Sequence, residues 1–514
     1  MPEGVLALDA ETAVTIPGVE LRAGTVRAAG YLDKHYAGTL PSRIRLLRDA
    51  PALYVDRPSA SPGDDVEIHY SCSTGAHVSL RRWELETTGT PEVDLGFVQP
   101  ATGSVPDEGL VADGLAWPGV TRRLPGGLRP GIWLVELTDD RGEVARAPLV
   151  VRRDPASTRA ALVILVSAAT WQCYNDWGGR NRYRNYEAGV DRPSSPPRYR
   201  RLLSRALARA VPEVPRTRLK RRLGVDRSQT SWVSWPLTWR RPWGAGLELG
   251  SPLAEPALNH LASLDARILA WLDEHGIDYD CAAELDLDWD ETLTVGRRAA
   301  VLTGHSEYWS ARMFDRLARA HEQQGMWLIN LSGNTMYRQI EVADDFTVRM
   351  CNLLTVLSGR DETELLGVRY SEGGYGTASP YAVRVPHHWV FAGLGLQDGD
   401  RFGAISTVAN TSPGYAAVYH PERPTTATGL LHGSGAAGFE VDRRVRRQRK
   451  AFTVLAEAVA PHSAQMVVRE PRGDRGGAFS VSSISFGGAL RVDPACSRLV
   501  LNVLRRAGAE EAAG

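Results

Sequence analysis

Three predominantly apolar runs, residues 161–166, 299–303 and 326–331, constrain the fold of this chain most strongly. Strands that show no apolar–polar alternation are typical of parallel sheets, in which both faces are buried. Between these runs, 259–274 and 310–324 have the spacing of amphipathic helices, and a short helix is predicted at 497–506. A β-α-β order implies right-handed crossovers and an open, doubly wound sheet. We therefore predict an α/β domain over 158–510 with an insertion at 180–255.

The first 150 residues predict a different architecture. Residues 66–70 alternate apolar and polar side chains after a Pro-Gly-Asp-Asp turn, and 131–137 and 145–151 are further short apolar runs between turn residues. Such spacing is typical of an all-β sandwich. The sequence thus indicates a multi-domain β + α/β protein, with a β-sandwich over 1–153 in front of the α/β domain.

The composition argues against several functional classes. Lys+Arg and Asp+Glu both number 60, so the net charge is zero, which argues against a dedicated nucleic-acid binder. No apolar stretch reaches the ~18 residues that a membrane span needs. Five scattered cysteines fit a reducing compartment, and the first 15 residues do not resemble a signal peptide. These features predict a cytoplasmic protein.

One segment is strongly basic. Residues 198–222 hold ten basic side chains and one acidic one, with four arginines at helical spacing. We interpret this segment as a solvated amphipathic helix. Contact with an acidic subunit or an anionic substrate is the alternative interpretation.

Polar and aromatic side chains follow the three apolar runs, at 169–179, 304–309 and 332–334. Ligands of open α/β sheets bind beyond the carboxyl ends of the strands, so we expect these loops to meet in one crevice. His305, Glu307 and Tyr308 provide an imidazole, a carboxylate and a phenol, which suit a hard or borderline metal such as iron or zinc. Ser306 lacks a nucleophile-elbow pattern, because Tyr308 stands where the second glycine is required.

These loops, together with residues 388–391, 435–443 and 482–486, resemble the large subunit of N,N-dimethylformamidase, and the resemblance covers residues 158–508. It implies a β-sandwich followed by an amidotransferase-like α/β domain. It also implies amide hydrolysis at a mononuclear iron held by two tyrosines and one glutamate. Tyr308 matches one tyrosine, and Tyr174 or Tyr279 could supply the other. Glu440 and Glu372 are the candidates for the glutamate, of which we choose Glu440.

The resemblance implies metal-assisted attack of water on a small linear amide. His305 or Glu307 would carry the proton to the leaving amine, and Asn334 and Asn175 would orient the carbonyl. The residues expected to line the substrate pocket are Trp171, Tyr174, Trp177, Trp309 and His388. Relatives associate through large and small subunits, so we expect a homo-oligomer or a partner subunit. The alternatives are a non-hydrolytic relative that binds a small ligand or serves in assembly, and a metal-free enzyme that uses Ser306 or His305.

Overall fold

The structure is a computed structural model, and it describes part of the 514 residues. The described residues are five short strands before residue 47 and the ranges 51–83, 93–104, 110–175, 182, 236–243, 260–353, 359–370, 378–408, 435–459 and 464–509. Trp177, Glu372 and the basic segment 198–222 lie outside the described residues.

The N-terminal part is built from strands, with one short helix. Its elements are β1 (Leu6–Leu8), β2 (Ala13–Ile16), β3 (Val19–Arg22), β4 (Val26–Ala28), β5 (Arg43–Leu46), β6 (Ala52–Val55), β7 (Ser59–Ala60), β8 (Asp65–Ser71), β9 (Ala76–Arg82), β10 (Val93–Val98), α1 (Leu110–Asp113), β11 (Gly119–Arg123), β12 (Gly131–Asp139) and β13 (Val144–Val151).

Two sheets form the core of this part. One has the strand order β10-β9-β12-β13-β7 and the other has the order β11-β8-β6. β12 is buried along almost its whole length because β9 and β13 both pair with it, whereas β11 lies at an edge and alternates exposed and half-buried residues. β13 of the first sheet packs against β6 of the second. The prediction of β-structure in this region is confirmed.

The rest of the chain combines strands with helices. Its elements are β14 (Leu162–Val166), α2 (Ala168–Tyr174), α3 (Ala262–Glu274), β15 (Asp280–Ala283), β16 (Ala299–Leu302), β17 (Tyr308–Trp309), α4 (Ala311–Gln323), β18 (Trp327–Asn330), β19 (Arg338–Val342), β20 (Val348–Leu353), α5 (Glu362–Leu366), β21 (Val368–Tyr370), β22 (Ala378–Ser379), β23 (Tyr381–Val383), β24 (Arg401–Phe402), β25 (Ala437–Gly438), β26 (Asp442–Arg444), β27 (Thr453–Ala458), β28 (Gln465–Arg469), β29 (Ala478–Ser480) and α6 (Pro494–Arg506), with 3-10 turns at Glu284–Asp288, Trp389–Phe391, Arg446–Gln448 and Ile484–Ala489.

The central element is a nine-stranded sheet with the order β15-β14-β16-β18-β29-β28-β27-β23-β24. The first five strands are parallel, and β14, β16 and β18 are the three predicted apolar runs. β15 and β16 flank β14 on opposite sides, so the strand order reverses beside β14. The carboxyl ends next to such a reversal form a crevice in open sheets.

The other four strands of the sheet are antiparallel, which the sequence analysis did not anticipate. Six residues separate β27 from β28 and eight separate β28 from β29. A parallel connection needs a crossover of a dozen residues or more, so links this short permit only antiparallel neighbours. The α/β part is therefore a mixed sheet whose parallel half carries the predicted strand ends.

Ion pairs join the N-terminal sheets to the parallel strands. Asp280 is buried at the start of β15, accepts a hydrogen bond from the backbone N–H of Ala160 at 3.2 Å, and pairs with Arg153 and Arg297. Ser59 of β7 donates a hydrogen bond to Asp286 at 2.6 Å. Arg153 follows β13 and Ser59 lies in β7, so contacts with buried carboxylates connect these two strands of the five-stranded sheet to the region around β15.

Among the helices that the structure describes, none combines the length and the apolar character needed to cross a membrane.

Asp280→Asn tests this connection. Removing the charge leaves the buried guanidinium of Arg297 without its carboxylate, while Arg153 keeps Asp278, and breaking a buried pair such as Arg297–Asp280 costs about 3 kcal/mol. Asp278→Asn is the matched control, because Asp278 also pairs with Arg153 but its side chain is 64% exposed, and exposed pairs contribute less than about 1 kcal/mol. Urea unfolding midpoints should separate the two variants, and equal midpoints would contradict the proposed role of Asp280.

Candidate metal centre

The first structural element of the site is a sharp turn after β16. Gly304 has φ +55°, and a Cβ at this position would overlap Oδ1 of Asp265 on α3. Both constraints require glycine, because other residues are strained at positive φ and would collide with the carboxylate. Burial raises the pKa of Asp265 to about 7, although the N–H groups of Ser167 and Trp171 donate hydrogen bonds to its other oxygen. The turn therefore presents His305 at the carboxyl edge of the sheet.

Hydrogen bonds connect this turn to the loop after β18. The backbone N–H of Ser306 donates to Oγ of Ser332 at 3.0 Å, and the carbonyl of Ser306 accepts from Met336 at 2.8 Å. The backbone N–H of Arg338 then donates to the carbonyl of Glu307, after which β17 pairs with β19. The second and third predicted loops are thus one connected structure.

The first loop, expected at 169–179, is a helix over its first half. Glu284, at the end of β15, accepts hydrogen bonds from the backbone N–H groups of Ala168 and Ala169 at 2.6 and 3.0 Å, which caps the N-terminus of α2. α2 brings Thr170 to the turn, where its hydroxyl accepts a hydrogen bond from the N–H of Glu307 at 3.3 Å. All three strand-end loops therefore meet, as expected.

A short stretch of the predicted insertion holds the other end of α2. Arg241 lies in the segment 236–243, and its guanidinium donates to the carbonyl of Asn175 at 2.8 Å. The side-chain amide of Asn175 donates to the carbonyl of Pro242 at 2.9 Å. In the same segment, the carbonyl of Leu237 accepts a hydrogen bond from the side-chain amide of Gln172. Asn175 thus anchors the end of the helix in this structure.

Three buried side chains converge at the carboxyl edge. Nε2 of His305 lies 3.1 Å from Oε2 of Glu440 and 3.5 Å from Oε2 of Glu307. One donor atom from each residue lies within 4.8 Å of the other two, so together they could hold a metal ion. Glu440, which lies 133 positions after Glu307, is therefore brought to the predicted site.

The electrostatics of this group favour a cation. Among the described residues, neither ring nitrogen of His305 has a hydrogen-bond partner, although Nε2 lies 3.1 Å from Oε2 of Glu440. Burial lowers the pKa of His305, but the carboxylates of Glu440 and Glu307 outweigh burial and raise it above the usual value. Arg338, 3.5 Å from Glu307, compensates one of the two buried carboxylates. The other carboxylate is costly unless a second positive charge, either a protonated His305 or a metal ion, lies beside it. The donor set of nitrogen and oxygen atoms fits iron or zinc.

Strained backbone surrounds the same group. Asn334, Met336, Phe439, Glu440 and Ser482 all have positive φ, between 50° and 67°. The backbone N–H of Asn334 donates to Asp442 at 2.9 Å, and its side-chain amide donates to Oε2 of Glu440 at 2.9 Å. Non-glycine residues in this region cost about 1–3 kcal/mol each and cluster at functional sites.

Aromatic rings enclose His305 on another side. The ring of His260 lies 5.1 Å from that of His305, and Tyr174 and Phe439 lie 5.1 and 4.8 Å from His260. Burial lowers the pKa of His260 well below its usual value, which keeps the imidazole neutral. The sequence analysis missed His260. Its position just before the helix over 262–274 was the available signal, but its spacing to His305 matches no metal motif.

The remaining candidates have different surroundings. Trp171 and Trp309 are fully buried, and their indole N–H groups donate to Asp265 and Ser306, respectively. Tyr308 is buried in β17 beside Glu307. His388 precedes the 3-10 turn Trp389–Phe391 and faces Glu470 at 3.8 Å, and no contact among the described residues joins it to the group around His305.

Sequence comparison gives one extended match. The family described as N,N-dimethylformamidase beta subunit-like, C-terminal, matches residues 78–498. The match begins within β9, so it includes much of the N-terminal β-structure, which lies outside the resemblance over residues 158–508. None of the curated proteins matches the chain.

Similarity to solved structures is low. A DUF4784 family protein from Bacteroides caccae is 18% identical over 21% of this chain and 25% of its own, with a TM-score of 0.13. A cycloisomaltooligosaccharide glucanotransferase from Paenibacillus sp., complexed with cycloisomaltoheptaose, is 13% identical over 27% of this chain and 19% of its own, with a TM-score of 0.13. These values are too low to inform the fold or the function.

Gly304→Ala tests whether the close approach of Asp265 requires glycine in this turn. The control is Gly276→Ala, which also has positive φ but has open space around an added Cβ. The control should lose about 1 kcal/mol of stability from backbone strain alone. Gly304→Ala should lose roughly 2–4 kcal/mol, because the overlap with Asp265 adds to the strain. Thermal unfolding measures both changes, and equal losses would show that Asp265 moves aside at little cost.

Proposed function

Because this chain belongs to the N,N-dimethylformamidase beta subunit-like family, we propose that it is a metal-dependent hydrolase that cleaves the C–N bond of a small linear amide. The observation that carries the proposal is the buried group of His305, Glu307 and Glu440 at the carboxyl edge of the sheet. We also propose that the part of the chain over 158–510 is an amidotransferase-like α/β domain following a β-sandwich over 1–153.

We assign metal binding to the two carboxylates. Glu440 is oriented by the amide of Asn334, and Oε1 of Glu307 lies 3.5 Å from Nε of Arg338, so both carboxylates are held in place. Tyr308, which follows Glu307, is the candidate for an additional phenolate ligand. This set differs from the two tyrosines and one glutamate that the resemblance implies, and it adds an imidazole within reach. Iron is the proposed ion.

A metal ion bound here would supply Lewis acidity and would lower the pKa of water. In the proposed hydrolysis, a water oxygen would form a bond to the carbonyl carbon, the C–N bond would break, and the nitrogen would leave as an amine after it gains a proton. We assign the proton transfer to Nε2 of His305, which lies 3.1 Å from Glu440 and 3.5 Å from Glu307. The rings of Tyr174, His260 and Phe439 exclude bulk water from this side.

Glu440→Gln and His305→Gln test this division of roles. Elemental analysis of the purified wild-type protein should find about one iron per chain. Glu440→Gln should lose at least tenfold in metal affinity, because a neutral amide replaces a charged ligand. His305→Gln should keep its metal but lose about 10²–10⁴-fold in kcat, the usual contribution of a proton-transfer group. Loss of metal from His305→Gln would instead place the imidazole among the ligands.

Tyr308→Phe tests the phenolate ligand by colour. A phenolate bound to ferric iron absorbs visible light, so the wild-type protein should be coloured and the variant should not. Tyr337→Phe is the control, because Tyr337 is also buried, adjoins Arg338 and packs against Tyr370. A variant at Tyr308 that retains the band would exclude the phenolate.

A non-hydrolytic relative is the alternative function. Metal-free, colourless protein that binds amides without turnover would favour it. The description of the family as a beta subunit also leads us to propose assembly with a partner subunit or with further copies of this chain, which light scattering on the purified protein can measure.

A further inference from the structure

The basic turn over residues 443–450 connects β26 to β27. Its sequence is Arg-Arg-Val-Arg-Arg-Gln-Arg-Lys, so six of its eight side chains are basic and none is acidic. The exposed members are Arg446, Arg447, Arg449 and Lys450. Surfaces of soluble proteins usually intersperse both signs of charge, so this turn departs from an ordinary solvated face.

Most of these positive charges have no counter-charge. Among the described residues, Arg447 is the one member of the basic turn that forms an ion pair, with Asp361. Burial and the neighbouring charge of Arg449 lower the pKa of Arg444, so like charges lie close together. Glu457 on β27 also acts on Arg444, but other side chains already donate hydrogen bonds to both of its carboxylate oxygens. Adjacent like charges are unfavourable unless an anion compensates them.

Hydrogen bonds hold the basic turn in place. The N–H of Arg444 donates to the side chain of Gln465 at 3.0 Å. The N–H of Val445 donates to the carbonyl of Gly367, and the guanidinium of Arg444 donates to the carbonyl of Phe452 at 2.7 Å. The positive side chains therefore project from an ordered support. A preorganised surface of this kind loses less conformational entropy when it binds a partner.

The basic turn directly follows a segment of the proposed metal site. Glu440 is a candidate ligand, and Asp442 of β26 accepts a hydrogen bond from the N–H of Asn334 at 2.9 Å. Arg446 follows Glu440 by six positions, which limits the distance between their Cα atoms to about 20 Å. A partner bound to the turn would therefore lie close to the strand that supports the site.

A protein segment fits this surface better than a nucleic acid does. The net charge of the chain is zero, whereas nucleic-acid binders usually carry a basic excess that attracts a polyanion from a distance. The turn contains no aromatic side chain on which a base could stack. Guanidinium groups match carboxylates in a bidentate geometry, so a short acidic segment can compensate several arginines.

We propose that the basic turn is the docking surface for an acidic segment of a different polypeptide chain. This inference rests on the proposed assembly with a partner subunit, and it specifies the surface and the charge of that partner. Exposed ion pairs contribute little individually, so binding should depend on several of them together and should weaken when salt is added.

A fluorescently labelled oligoglutamate peptide tests the proposal, with fluorescence anisotropy as the measurement. The full-length protein should bind this peptide. The triple variant Arg446→Gln/Arg449→Gln/Lys450→Gln should bind it about tenfold or more weakly, because three exposed ion pairs of about twofold or more each are lost. Thermal unfolding should be almost unchanged, since all three side chains are exposed.

The matched control is Arg298→Gln/Arg319→Gln/Arg498→Gln. These three arginines are also exposed, and they form no ion pair with another residue that the structure describes. They lie on separate elements, just before β16, on α4 and on α6. The control removes the same total charge without touching the basic turn, so it should bind the peptide nearly as well as the wild-type protein does.

The outcomes separate this inference from the proposed function. Equal weakening in both variants, or no binding by the wild-type protein, would overturn the docking surface while leaving the hydrolase and the assembly in place. Peptide binding that only the first variant loses, in a protein without turnover, would support the surface and count against the hydrolase. Tighter binding of duplex DNA than of the peptide would overturn the inference in favour of a nucleic acid. A wild-type oligomer that dissociates in the first variant, measured by light scattering, would place a second copy of this chain on the turn and overturn the different partner.

Discussion

The site depends on hydrogen bonds that hold the turn over residues 304–309 to its neighbours. The backbone of this turn bonds to Ser332 in the loop after β18 and to Thr170 on α2, and the strand that follows it pairs with β19. Because the carboxyl ends of parallel strands lie at one edge, these partners are within reach of one another. The sheet therefore brings the turn, the loop after β18 and α2 close together, and these hydrogen bonds determine the orientation of His305 and Glu307.

Buried polar side chains and strained backbone are concentrated at this edge of the sheet, so the surrounding structure must be rigid. Asp265, Glu284 and Asp442 are fully buried acids whose pKa values burial raises, and each accepts backbone hydrogen bonds from a loop of the site. Buried acids are unfavourable by themselves. Here each one fixes a segment that would otherwise be free to move. The apolar strands β14, β16 and β18 offset this cost, because all of their residues are buried.

Much of this organisation could be predicted from local sequence. The continuous apolar runs identified β14, β16 and β18, and helical spacing located α3 and α4 to within a few residues. The polar strand ends then indicated where a site should lie. These features are local, so a short window of sequence contains them.

The features that escaped prediction depend on distant contacts. α2 is a helix because Glu284 caps it, and that carboxylate lies 116 positions away from Ala168. Glu440 was chosen through the family resemblance, because local sequence does not show which later loop approaches Asn334. His260 has no motif of its own and enters the site only through ring packing. Atoms without a hydrogen-bond partner among the described residues, such as the ring nitrogens of His305, have no signature in sequence.

The segment 236–243 connects the site to the N-terminal sheets. The guanidinium of Arg241 donates a hydrogen bond to the carbonyl of Asn175 at the end of α2. The carbonyl of the adjacent Arg240 accepts a hydrogen bond from the N–H of Leu115, which follows α1. Through this segment, the β-rich part of the molecule stabilises the position of α2, whose Thr170 accepts a hydrogen bond from the N–H of Glu307. A fragment without the β-rich part would retain every candidate ligand but would lack the hydrogen bond from Leu115 that supports the segment 236–243.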